Sequence, residues 1–137
     1  MSPERGRLET MLRTVLDRHE EWRREDDSVV IPTEDGGRHQ RVNLSLRGEH
    51  WELRTRVLPA EQVTRTDRLW RELAMRAWLR NDATNLVTFT FDEADDLIGL
   101  VRHPAAHLDV EELELYLTVL AAECDRFEYV LRGVDVS

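Results

Sequence analysis

The sequence predicts an α+β domain in which three helices cover an antiparallel sheet of about five strands, in the order α-β-β-β-α-β-β-α. Three observations predict it. Apolar residues recur every three or four positions near both chain ends and again around residues 66–80; between these stretches the period drops to two; and turn-forming residues separate the alternating runs. Hairpins grouped between helices imply antiparallel pairing with the helices on one face.

The first helix is read over residues 3–25. Leu8, Met11, Leu12, Val15, Leu16, His19 and Trp22 form one stripe, with Ser2 as N-cap and Pro3 and Glu4 in the first turn. Pro32 and the Asp35, Gly36, Gly37 cluster mark a turn. A short strand is expected at Ser28–Ile31. Val42, Leu44 and Leu46 then alternate with polar residues, Gly48 turns the chain, and Trp51, Leu53, Thr55 and Val57 alternate on the way back. A second helix is expected over Thr66–Arg80. Its apolar arc is wide, including Trp70, Leu73, Ala74, Ala77 and Trp78, which predicts burial on more than one side. Val87, Phe89 and Phe91 make the next strand and Leu97–Val101 its return. Asp109 and Glu112 form a capping box for the last helix, and Leu108 packs on Leu113 as a staple. The stripe of that helix, Leu113, Leu117, Leu120, Ala121, Cys124, Phe127 and Leu131, runs to Gly133 as a left-handed C-cap.

At 137 residues and 41% hydrophobic content, the chain is sized for one domain spanning residues 1–137. No apolar run approaches the roughly 20 residues of a membrane span, and the charged N-terminus is unlike a signal peptide, so a cytoplasmic, membrane-free protein is expected. The net charge of −9 is unevenly placed. Residues 1–80 carry 16 basic and 15 acidic side chains, whereas residues 81–137 carry 3 basic and 13 acidic ones. Such acidity argues against nucleic acid and favours a cationic or amphipathic polypeptide as partner. Every basic residue is arginine, which fits a GC-rich bacterial, such as actinobacterial, coding bias.

Candidate catalytic groups are weighed and set aside. Asp92, Glu93, Ala94 and Asp95 spell a helicase-type ATPase signature, but that chemistry needs a phosphate loop with a lysine, and the chain has none. A calcium loop beginning at Asp92 would put Leu97 where the glycine turn must be. Asp92–Asp96 is therefore read as a hairpin turn. His103 and His107 stand four apart, yet Pro104 disfavours a helix there and no metalloprotease glutamate accompanies them; His19, His39 and His50 are scattered. Cys124 lies on an apolar stripe, where thiols are inert packing, and Glu111, Glu112 and Glu114 form a solvated first turn. Of the four tryptophans, Trp22, Trp51, Trp70 and Trp78, at least one of Trp70 and Trp78 is expected to face a partner; the alternative is that all four are internal.

The element order, with VNLSLRGEHWELRTRVL, NLVTFTFDEADDLIGLVRHP and LDVEELELYLTVLAAECDRFEYVLRG, resembles the YbjN family, which is similar in fold to the class I chaperones of type III secretion. The resemblance implies a domain without catalytic residues or cofactors, commonly a homodimer, that binds segments of other proteins. The expected function is accordingly a non-catalytic, chaperone-like or regulatory protein-binding module, using Trp70, Leu73, Ala74, Ala77 and Trp78 or an exposed sheet edge. Two alternatives stand beside it: a metal-dependent hydrolase built on His103, His107, Asp92 or Asp95, and an acidic immunity- or antitoxin-like inhibitor using Asp92–Asp96 and Glu111–Glu114.

Overall fold

Two-residue turns and long-range strand pairing set the architecture. A computed structural model describes residues 2–33, 38–63, 67–83 and 86–135. In chain order these form α1 (Pro3–Asp17), β1 (Arg23–Glu25), β2 (Ser28–Pro32), β3 (His39–Arg47), β4 (His50–Leu58), the short α2 (Ala60–Val63), α3 (Asp67–Ala83), β5 (Thr88–Phe91), β6 (Leu97–Pro104), a 3-10 turn (Ala105–His107) and α4 (Val110–Asp135). The strands make one antiparallel sheet in the order β1-β2-β3-β4-β6-β5. The expected α+β class is observed, with one more strand than expected. The glycine-rich turn at Asp35–Gly37 and the expected helix start at Thr66 lie outside the described residues.

The extra strand explains where the first helix stops. It ends at Asp17, not near residue 25, because Arg23–Glu25 pairs with Ser28–Val30 around a turn in which Asp26 adopts φ 55°. His19 and Trp22 continue the helical spacing by coincidence. They stack on each other instead, 3.8 Å apart between ring centroids and 9° from parallel. The N-terminal end follows expectation, with Ser2 accepting from the Arg5 N–H and Pro3 opening the helix.

Strand alternation sends one set of side chains inwards. Val29, Ile31, Val42, Leu44, Trp51, Leu53, Val57, Leu97 and Val101 are buried against α4 and α1. Trp51 is therefore core. Gly48, at φ 64°, makes the tight β3–β4 turn that fixes this register, since a one-residue slip would turn Trp51 and Leu53 outwards. The α4 stripe from Leu113 to Leu131 is buried along its length, and the Asp109 and Glu112 side chains cap each other's backbone N–H groups at 2.7 and 3.1 Å. This helix runs past Gly133 to Asp135. Glycine permits a left-handed stop but does not force one.

Where α4 crosses β6, contact is closest at Gly99. An added Cβ would overlap Cys124 Sγ and come within 3.2 Å of Phe89 and 3.3 Å of Leu120. The missing side chain lets the helix seat on the sheet.

A pair of groups ties the end of α1 to α4. His19 Nε2 lies 2.7 Å from Glu114 Oε2, and Arg18 reaches the other carboxylate oxygen at 2.9 Å. The His19 bond, aided by Arg18, holds Glu114 below the usual glutamate value of 4.5. A depressed carboxylate pKa contributes stability above that value and loses it as the pH falls below. Glu114→Gln is expected to flatten the fall in thermal midpoint below pH 4.5 relative to the parent chain, as read by circular dichroism melts across the acid range.

Candidate partner-binding surface

Among the described helices, α3 leaves the most large apolar side chains outside the core, four against the Leu115, Tyr129 and Val130 that α4 leaves exposed. Leu73 and Ala77 point inwards and are buried, while Arg80 lies over the Phe127 ring and 3.5 Å from Glu123. The opposite side is bare. Trp78 is 65% exposed, Met75 57% and Leu79 53%, while Trp70, about 20° from Ala77 around the helix, is 44% exposed. At about 100° per residue, Trp78, Met75 and Leu79 fall within roughly 100° of one another, and half-buried Ala74 joins them to Trp70. Trp70 is partly supported by stacking on Phe91, with centroids 5.7 Å apart. The expectation of burial on more than one side is not met among the described residues, where the Leu73 and Ala77 side is the one fully covered. The residues named from sequence divide accordingly, with Trp70 and Trp78 outward and Leu73 and Ala77 supporting the helix from beneath.

One polar side chain ties α3 to the edge of the sheet. Asn81 receives the Phe89 N–H at 2.5 Å and donates to the Phe89 carbonyl at 2.9 Å, so the helix caps the free edge of β5. Losing both bonds leaves an edge donor and acceptor unsatisfied at a half-buried site. Asn81→Ala is expected to cost about 1–3 kcal/mol in urea unfolding and to loosen α3 first, seen as faster amide exchange in that helix than in α4. The other sheet edge, β1, is three residues long and charged, a form that discourages strand addition. Neither edge is as open to a partner as the outer face of α3.

The catalytic candidates are engaged otherwise. His103 Nδ1 lies 2.7 Å from the Tyr116 hydroxyl and Nε2 3.6 Å from Glu112. His107 sits in the exposed 3-10 turn. Asp92 Oδ1 accepts the Ala94 and Asp96 N–H groups at 2.9 and 3.0 Å, Asp95 adopts φ 65°, and Asp96 caps α2 through the Ala60 N–H at 2.7 Å. The DEADD stretch is the β5–β6 turn. Burial pushes the Cys124 thiol far up, keeping it unionised and without nucleophilic character. Among the described residues, no three His, Cys, Asp or Glu side chains are grouped to hold a metal ion, and no helix is long and apolar enough to cross a membrane.

This arrangement, a six-stranded antiparallel sheet with a long C-terminal helix across it and a helix flanking its edge, is similar in fold to solved structures. A chain of the HopA1–SchA chaperone–effector complex aligns over 100% of this chain and 99% of its own, with TM-score 0.59 and 12% identity. A chain of the ExsC–ExsE complex aligns over 88% and 89%, with TM-score 0.54 and 21% identity. The Yersinia pestis type III secretion chaperone SycH, in complex with a stable fragment of YscM2, is more distant at TM-score 0.47, 13% identity and 81% and 91% coverage. At such identities the likeness is one of fold. Comparison of the sequence with protein-family profiles and with curated proteins finds no match.

Proposed function

We propose that this protein is a non-catalytic, chaperone-like or regulatory module of the cytoplasm, of YbjN type, that pairs with a second copy of itself and holds a segment of a partner protein. The observation that carries the proposal is the bare apolar arc of α3. Trp70, Ala74, Met75, Trp78 and Leu79 present apolar and aromatic surface of the kind that marks interface anchors, on a helix held rigidly by Leu73, Ala77 and Asn81. A mixed pair, Glu72 with Arg76 at 3.0 Å, borders the arc as a polar rim. The fold shared with a chain of a chaperone–effector complex supports a binding role for the same scaffold. Non-catalytic action is supported by the engagement of His103, Asp92, Asp96 and Cys124 in structural contacts. The pairing is tested by light-scattering mass across the micromolar range. A mass near twice 16.1 kDa is expected, and a single-chain mass throughout would remove the dimer.

A further inference from the structure

The side of the sheet turned away from the core carries a charge opposite to that of the chain. Strand alternation points Arg41 and Arg47 of β3, Glu52, Arg54 and Arg56 of β4, and Arg102 of β6 to this side. With Arg23 and Glu25 of β1, which the pairing turns the same way, six arginines share this face with two glutamates in a molecule of net charge −9. Glu25 pairs with Arg23 and Arg41 at 2.9 Å each, and Glu52 is already consumed. Its side chain is 10% exposed, accepts from Arg54 at 2.8 and 3.1 Å, and lies 3.2 Å from Arg102 and 3.9 Å from Arg47. One carboxylate cannot balance three guanidinium groups.

What remains over these arginines is weakly held. Glu93 leans in from the β5–β6 turn, 3.6 Å from Arg54 and 3.9 Å from Arg47, but its side chain is 71% exposed. Arg56 is exposed and makes no hydrogen bond or ion pair among the described residues. A cleft of about 590 Å³ opens here, lined by Arg41, Arg54, Arg56 and Ile98. Its acidic lining residues are occupied: Asp92 and Asp96 bind backbone N–H groups, and Glu128 pairs with Arg132 and Gln40.

We propose that this face docks an acidic, extended segment of a partner polypeptide, whose carboxylates engage Arg54, Arg56 and Arg102 and displace Glu93. Arg54 and Arg56 point the same way about 6.6 Å apart, the spacing of alternate side chains in an extended chain. Each arginine fork offers bidentate hydrogen bonding to a carboxylate. Leu100 and Ile98, paired across the sheet with Arg54 and Arg56, supply apolar surface beside them. A continuous phosphate backbone fits less well, because it would also meet Asp92, Asp96 and Glu128, whereas a polypeptide carries charge only where needed. The inference rests on the partner-binding reading above and gives the held segment its chemistry.

The test is fluorescence anisotropy of a short labelled peptide alternating glutamate and threonine, against its glutamine counterpart, titrated with the full chain at low and at physiological salt. The glutamate peptide is expected to bind at least about tenfold tighter, with the preference shrinking as salt rises. Arg56→Gln with Arg102→Gln, both at exposed positions, is expected to abolish that preference. Trp78→Glu, on the α3 face, is expected to leave it intact even where the solution mass halves, so failure of pairing and failure of acidic docking are read separately. Equal affinity for the two peptides, or undiminished glutamate binding by the arginine variant, would overturn the proposal. So would an oligothymidine of equal charge binding as tightly, or a fall in solution mass on the arginine substitutions, which would mean that a second copy covers the face.

Discussion

Gly99→Ala is expected to destabilise the protein by about 1–3 kcal/mol in urea unfolding, with the slope of the transition unchanged. The reason is local. The new methyl would collide with Cys124 Sγ, which is fully buried on α4, and would press on Phe89 and Leu120. Neither the helix nor β6 can withdraw freely, since β6 is paired on both sides and Phe89 is packed edge-on against Phe127 at 4.7 Å. Combining Gly99→Ala with Cys124→Ala removes the sulfur that causes the worst overlap. The pair is therefore expected to be less destabilised than the sum of the single changes, a coupling that a double-mutant cycle measures directly. Strict additivity would show that α4 does not seat on Gly99 as described.

Met75→Glu with Trp78→Glu is expected to convert a two-chain particle into a one-chain particle while leaving the fold intact. Both side chains are more than half exposed, so charging them removes little internal packing. In the dimer the same carboxylates would be buried without partners, on the positions best placed to act as anchors. Two such losses, at about 2 kcal/mol or more each, weaken association by on the order of a thousandfold. Light scattering gives the mass and far-ultraviolet circular dichroism the fold. Trp70 is a poorer choice for this purpose, because its stacking on Phe91 also supports the β5 edge.

Much of the fold is legible because its cues are local. The β3–β4 hairpin follows from strict alternation and a glycine at the turn, and the start of α4 follows from Asp109 and Glu112 three residues apart. The DEADD stretch reads as a turn because Asp tolerates positive φ and caps its own loop. β1 is illegible for the opposite reason. Arg-Arg-Glu has no apolar alternation, and it becomes a strand only by pairing with Ser28–Val30, while His19 and Trp22 imitate one more helical turn upstream. In α3 the spacing reveals a broad apolar arc but not which part is left bare; that depends on where β5 and α4 lie.

The arginine face is hidden more deeply still. A charge count by chain halves makes the C-terminal part acidic and points to a cationic partner, yet Arg102 from that half joins Arg54 across the β4–β6 pairing, which spans all of α3. No window along the chain contains that convergence.

On the proposed reading the molecule holds other polypeptide, with α3 against a second copy and the open sheet against an acidic segment. Site-specific photo-crosslinking in the source cells tests it most directly, with the reactive side chain placed at position 78 in one variant and 56 in another. A two-copy adduct is expected from position 78 and a discrete adduct with a different protein from position 56. A folded chain that forms no polypeptide adduct from either position would contradict it.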